Sequence, residues 1–497
     1  MIHIIFHWHL IDCAIIYLLM INNLFQFDNT YLKLPRLFYS LQPATPVAHP
    51  QFAEINTELI ADFGIDMNKA ESSQDLLQLL SGNKEPSTKH FSQAYCGHQF
   101  GHFNRLGDGR AHLLGEALNK HGSRFDIQLK GSGPTPYSRQ GDGRAALGPM
   151  LREYLMGEFF NAVGIPTTRA LAVVTTGEPV YREKPYAGAI LSRVAKSHIR
   201  VGTFQYAAAY GQTQDVQALA DYSIARHYPE ALNHENRYLY FFEQVQSQQA
   251  RLIADWMSIG FIHGVMNTDN MTISGETIDF GPCAFLDHYD LNAVFSSIDH
   301  SGRYAYGQQP SIAHWNLYRF AETLLPLFSS ETEKSIQLAQ SALEKFPQLF
   351  ESYLQKNLHQ KLGLDQQTEQ SRMLVQKLLK LFSDHKTDMT EFYYQLSELN
   401  APAPMMDWQD EWKKNVELQN ISISEAQTKI KKINPIYIPR NFIVDSAIKQ
   451  YTENNNSDMF RKLLTQLRNP YRHDSEPIIP ELFLNKPAPD FKTFCGT

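Results

Sequence analysis

Asn270 and Asp279 stand nine residues apart, in "HGVMNTDN" (residues 263–270) and "TIDFG" (residues 277–281). An amide carbonyl and a carboxylate are hard oxygen ligands, the kind that hold Mg²⁺ between phosphates. Asp269, beside Asn270, adds a carboxylate that could take a proton from an attacking hydroxyl. Upstream, Lys130 closes the strand-like run "FDIQLK" just before a Gly-rich stretch, and Glu153 lies on the next helical segment. A strand lysine braced by a helix glutamate is one way to hold a cation against nucleotide phosphates. "LGDGRAHLLGE" (residues 106–116) sets Gly107, Gly109 and Gly115 around a strand–turn–strand, where backbone N–H groups could approach phosphates, and Arg110 adds charge. Arg193 and Arg200 flank "VAKSHI". Their guanidinium forks suit phosphate oxygens, and read alone they suit solvent equally well.

The loop has a recognisable defect. Kinase-like catalytic loops read His-Gly-Asp or His-Arg-Asp, with an Asn five residues after the Asp. Here His263, Gly264 and Asn270 are in place, but Val265 stands at the Asp position. Valine cannot accept a proton, which argues against transfer of the γ-phosphate. The retained Lys130, Glu153, Asn270 and Asp279 argue against a binding module without chemistry. Both stay as rival readings.

These residues need elements to hold them. "AHLLGE" (residues 111–116) and "FDIQLK" (125–130) read as strands, and residues 131–148 are too rich in Gly and Pro to be anything but loop. A helix follows over residues 149–164. Pro149 suits its first turn, Leu151, Leu155 and Phe159 share one face with Glu153 off it, and Gly164 stops it. "LAVVTT" and "YAGAILSRVA" are further strands, so a small sheet with one helix packed on it is expected. Residues 27–88 read as mixed, with one helix over 73–80. From about Thr203 the pattern turns helical, with a long helix ending at Gly260, and "MTISGETIDFG" reads as a short hairpin.

Composition narrows the function. The 497 residues are 43% hydrophobic and 20% charged, as in a globular protein with real cores, and the formal net charge is −7. That balance argues against nucleic acid as the main partner. The cysteines, Cys13, Cys96, Cys283 and Cys495, form no metal-ligand pattern and are few enough for a reducing compartment. The first residues, "MIHIIFHWHLIDCAIIYLLM", are long enough to span a bilayer, yet Asp12 lies near their middle and no Lys or Arg precedes Lys33. An anchor, a packed extension and an upstream mis-start with Met20 as first residue all fit. The mis-start fits best, and residues 1–20 are read as outside the fold.

Taken together, the strings "FSQAYCGHQFGHFNRLGDGRAHLLGE", "DIQLKGSGPTPYSRQGDGRAALGPMLREYLMGE", "HGVMNTDNMTISGETIDFGPCAFLD" and "NPIYIPRN" resemble the selenoprotein-O (YdiU) family of kinase-fold protein adenylyltransferases. "NPIYIPRN" is a loose version of the family's string. The resemblance runs from about Phe27 to the C-terminus. It implies an α+β, protein-kinase-like two-lobed fold with an extended helical C-terminal region. The expected parts are an N-terminal lobe over 21–205, a helical lobe over 206–445 and a tail over 446–497 carrying Cys495. The resemblance also implies ATP bound in inverted orientation, so that AMP passes to Ser, Thr or Tyr hydroxyls of proteins, with UTP as a second donor and Mg²⁺ or Mn²⁺ as cofactor. Gly107, Gly109, Arg110, Lys130, Asp142, Gly143, Arg193, Arg200 and Asp279 would contact the nucleotide. Glu153 would brace Lys130, Asn270 and Asp279 would hold the metal, and Asp269 would be the base. A near-terminal cysteine, here Cys495, would pair with Cys283. The expected protein is a cytoplasmic monomer with protein substrates and neither nucleic acid nor membrane as partner.

Overall fold

A computed structural model describes residues 24–471, 478–479 and 491–493. The apolar N-terminal segment, Cys13 and Cys495 lie outside the described residues. Two compact units interleave along the chain. The first takes Met1–Ala94, Gly107–Met150 and Ala170–Ser197, and the second takes Tyr95–Leu106, Leu151–Arg169 and His198–Thr497. Neither unit is a contiguous stretch such as 21–205 or 206–445.

The first unit is built on an antiparallel sheet, nine-stranded among the described residues. Its spatial order is Tyr39–Leu41, Phe91–Gln93, Ala111–Leu118, Arg124–Lys130, Pro185–Ala195, Arg169–Tyr181 and Gln51–Ile55. Gln26–Phe27 pairs with Ala111–Leu118, and Ala145–Ala146 pairs with Pro185–Ala195. Alternation explains the strand Arg124–Lys130. Ile127 and Leu129 join the core with Leu59, Ile60 and Phe63, and with Leu76, Leu79 and Leu80 of the helix Ala70–Leu80. Burying each such side chain contributes about 1.5–3 kcal/mol. The helix Thr57–Asp62 starts where Asn56 accepts a hydrogen bond from Leu59 N.

The sheet is larger than expected. Residues read as mixed supply two of its strands, Tyr39–Leu41 and Gln51–Ile55, and the end of a third, Gln26–Phe27. They are short, and their partners are remote in sequence, so local alternation does not reveal them. The core helix near residue 73 begins earlier, at Ala70.

The second unit is mostly helical. The helix Leu147–Ala162 buries Leu151, Leu155 and Phe159 completely, as its spacing predicts. Gly157 lets it approach Thr168, whose carbonyl would lie 2.8 Å from a Cβ there. The long helix Arg237–Ser258 is capped by Asn236 and buries Phe241, Val245, Ile253 and Trp256. It leads into the strand Phe261–Ile262, which pairs with Ala284–Phe285 and so closes the loop of residues 263–283 at its base. Helices continue from Gln309–Phe328 to Asp458–Leu467. A sheet-rich unit and a helical unit, with helices running to the C-terminal region, make up the α+β class expected. Among the described residues no helix is long and apolar enough to cross a membrane.

The hairpin expected over residues 271–281 is absent. Thr272 bridges to Arg200 and Thr277 bridges to Thr167 instead. The Thr272 hydroxyl closes the turn by donating to Glu276 O (2.7 Å) and accepting from Glu276 N (2.9 Å). The outward backbone groups are taken by neighbours: Ile273 N donates to Ile199 O, and Thr277 N to Pro166 O, both at 2.9 Å.

Candidate active site

In the first unit, register decides which side chains share a face. Lys130 lies opposite Ala111 and Leu191, Gln128 opposite Leu113 and Arg193, and Asp126 opposite Glu116 and Ala195. Paired residues point the same way and alternate along the strand. One face therefore carries Ile127 and Leu129 into the core, while the other carries Asp126, Gln128, Lys130, Arg193 and Glu116. All five are buried. Burying so much polarity is expensive unless it is used. Arg193 Nη1 donates to Gln128 Oε1 at 3.4 Å, whereas Gln128 Nε2 and both amide atoms of buried Gln93 have no hydrogen-bond partner. Gln93 and Gln128 were not singled out from the sequence. The polar alternation inside "FDIQLK" is the signal that could have found Gln128.

The two glycine-bearing loops beside this face are laced together. Thr135 Oγ1 donates to Asp108 O (2.7 Å), Ser138 Oγ donates to Gly109 O, and Gly131 N donates to Arg110 O (2.7 Å). Gly107, at φ +131°, lies so close to Tyr137 that a Cβ would sit 2.4 Å from its ring. Gly143, at φ +67°, faces the Gly133 carbonyl carbon, 2.1 Å from where a Cβ would be. Only glycine fits both positions. Asp142 is half-exposed and paired with Arg182 at 2.8 and 3.0 Å, which holds its carboxyl below the usual range. That arginine partner was not foreseen.

In the second unit, Arg200, Asp269, Asn270 and Asp279 come together. Arg200 is buried, not a solvated surface arginine. Its Nη1 donates to Asp269 O (2.7 Å) and Asp279 Oδ2 (3.1 Å), and its guanidinium lies 4.6 Å from the Tyr95 ring centre. Asp269 is buried, and its Oδ1 has no hydrogen-bond partner. Burial pushes its carboxyl up to about 6, against the opposing charge of Arg200. Gly97 makes room for it, since a Cβ there would lie 2.1 Å from Asp269 Oδ1. Val265 is a buried apolar side chain. Its backbone shapes the loop: Asn270 Nδ2 donates to Val265 O (2.9 Å), and Val265 N donates to His263 Nδ1 (3.4 Å). His263 therefore carries its proton on Nε2 and donates it to Ile278 O at 2.8 Å. Asp279 adopts φ +61°, a left-handed conformation uncommon outside glycine. Glu153, read as lying off the apolar face, is buried on the helix Leu147–Ala162.

Among the described residues no group of three or more His, Cys, Asp or Glu side chains is arranged to hold a metal. Asn270 and Asp279 offer two oxygen donors. With its Nδ2 spent on Val265 O, Asn270 turns Oδ1 away from that bond. Two protein oxygens, completed by phosphate and water, fit Mg²⁺ or Mn²⁺. Cys283 is fully buried, its thiol is pushed up to about 11 by burial, and its Sγ donates to Phe280 O at 3.3 Å. The expected partner, Cys495, lies outside the described residues.

The family model described as "Protein adenylyltransferase SelO" matches residues 22–468. A "Protein nucleotidyltransferase YdiU" of Bacillus cereus is 50% identical over 482 residues, covering 95% of this chain and 98% of the relative. A protein of the same name from Bacillus thuringiensis is 49% identical over 481 residues, with the same coverage of both chains. Among solved structures, ROP2 from Toxoplasma gondii, described as a virulence factor with a protein-kinase fold and no enzymatic activity, matches 73% of this chain and 87% of its own. The identity is 10% and the TM-score 0.23, too slight a likeness to bear on fold or function.

Proposed function

The chain belongs to the protein adenylyltransferase SelO family, and from that premise we propose that it moves AMP from ATP to Ser, Thr or Tyr hydroxyls of proteins, releasing diphosphate. The observation that carries this reading is the buried Asp269 carboxyl. It stands next to Asn270 with one oxygen unpartnered, while apolar Val265 fills the place of a γ-phosphoryl transferase's base.

In this reading Asp269 accepts the proton of the acceptor hydroxyl, whose oxygen attacks the α-phosphorus as the bond to the β-phosphate oxygen breaks. A carboxyl at about 6 is ionised at neutral pH and basic enough to take that proton. Arg200 holds the loop by its bond to the Asp269 carbonyl and steadies Asp279. Asn270 and Asp279 would hold Mg²⁺ or Mn²⁺, which when bound neutralises phosphate charge. On the first unit, Lys130, Arg110 and Arg193 supply positive charge for the leaving diphosphate. Gly107, Gly109, Asp142 and Gly143 shape the loops that cradle the nucleotide. UTP is the second donor such a site would accept. The acceptors are proteins, and the enzyme acts as a cytoplasmic monomer.

Asp269→Ala tests the assignment. Transfer should fall by about 10²–10⁴-fold, the usual worth of a general base, with ATP binding largely kept. Unchanged transfer would make Asp269 structural and send the proton elsewhere.

A further inference from the structure

The ribbon that covers Asp269 also builds a surface. Strands Cys96–Gln99 and His102–Arg105 pair antiparallel within the second unit. The ribbon is bonded to the catalytic loop: His98 N donates to Thr268 Oγ1 (2.8 Å), and Phe100 N donates to Asn267 Oδ1 (3.2 Å). Tyr304 Oη donates to the same Asn267 oxygen at 2.6 Å. Beyond these contacts the surface is aromatic and cationic. The His98 ring packs on Phe103 (5.0 Å) and edge-on to Trp315 (5.2 Å). The Arg303 and Arg319 guanidinium groups lie 4.8 and 5.3 Å from the Trp315 ring centre. Arg105, two residues along the strand from Phe103 and so on the same side, lies 5.0 Å from the Tyr210 ring centre.

Phe103 and Tyr210 are 45% and 47% exposed, which leaves ring surface open to a partner. Two of the three arginines carry uncompensated charge. Among the described residues no carboxylate pairs with Arg105 or Arg303, and only Arg319 has one, Glu322 at 2.7 Å.

We propose that this surface docks the acceptor protein and selects an acidic segment, one whose Ser, Thr or Tyr is flanked by Asp or Glu. The proposal rests on the adenylyltransfer reading and deepens it. The ribbon touches Asn267 and Thr268, the two residues before Asp269, so a chain that delivers its hydroxyl to Asp269 passes close to these arginines. Guanidinium groups form directed bonds with carboxylates. Single-stranded nucleic acid is the weaker fit. Arg105 and Arg303 already lie over the Tyr210 and Trp315 rings, and the chain as a whole carries a net charge of −7.

The test reads binding without transfer. Two fluorescent peptides share one Tyr and differ only in Asp/Glu or Lys flanks, and each is titrated with the full chain by anisotropy. The acidic peptide should bind about tenfold more tightly at low salt, with the gap closing as salt rises. Arg303→Glu and, at a more exposed position, Arg105→Glu should each weaken it about fivefold or more, with Mg²⁺-ATP affinity unchanged as proof of folding. Equal affinity for the two peptides, or undiminished binding in both folded variants, would overturn the proposal. So would a single-stranded oligothymidylate that displaces the acidic peptide at lower concentration than unlabelled peptide does. Tight, charge-dependent peptide binding with no AMP transfer would uphold this docking surface while refuting the adenylyltransfer reading.

Discussion

Gly97→Ala isolates the placement of Asp269 from its chemistry. The added Cβ would lie 2.1 Å from Asp269 Oδ1, 2.6 Å from its Cγ and 2.8 Å from Leu106 Cδ1. Gly97 is not among the residues at positive φ, so its backbone accepts alanine and the collision is the whole effect. Relief requires the carboxyl to move by about 1 Å, and a displacement of that size at a reacting group costs on the order of 10²-fold in rate. Overpacking adds about 1–3 kcal/mol of lost stability. The assay is the initial rate of AMP incorporation from α-labelled ATP, with an ATP-binding titration and a thermal melt on the same preparation. A turnover number about 10²-fold down, with ATP binding largely retained, is expected. A folded Gly97→Ala protein with unaltered turnover would refute the argument that the site depends on where this carboxyl sits.

Two further outcomes follow from other parts of the second unit. Asp279→Asn keeps the shape and tolerates the left-handed backbone at φ +61°, so metal-dependent ATP binding should fall sharply in a protein that still folds, with the melting temperature lowered by loss of the Arg200 ion pair; undiminished Mg²⁺-ATP affinity in a titration would remove Asp279 from the metal site. Lys361 is buried, and burial lowers its amine to about 7 even though the Tyr393 ring centre, 4.6 Å away, favours the charged form. The unfolded chain therefore binds more protons than the folded one between about pH 7 and 10, and stability should rise with pH across that window, by at most about 1.4 kcal/mol per unit. The rise should flatten in Lys361→Met, and equal pH profiles for the two proteins would show the amine to be charged in the fold.

Much of the site was legible because its residues lie in stretches whose local pattern is strong. Alternation in "FDIQLK" placed Lys130 on a strand, and four-residue spacing placed Glu153 on a helix. What stayed hidden was set by contacts remote in sequence. Arg200 looks like a surface arginine until the Asp269 carbonyl and Asp279 carboxylate, some seventy to eighty residues on, close around it. The segment over residues 271–281 has the Gly-centred turn of a hairpin, yet its backbone partners come from residues 199–201 and 166–168. Gly97 gave no signal at all, because its need for hydrogen in place of a side chain comes from Asp269, far along the chain.

The central claim concerns which phosphorus is attacked, and labelled ATP measures it directly. ATP labelled at the α-phosphate and ATP labelled at the γ-phosphate are incubated side by side with enzyme, Mg²⁺ or Mn²⁺ and acceptor protein, with Lys130→Ala as control. The account predicts protein labelled from the α-position only, γ-label released as diphosphate, and neither in the control. Protein labelled from the γ-position alone would contradict it and restore a kinase, despite the valine at residue 265.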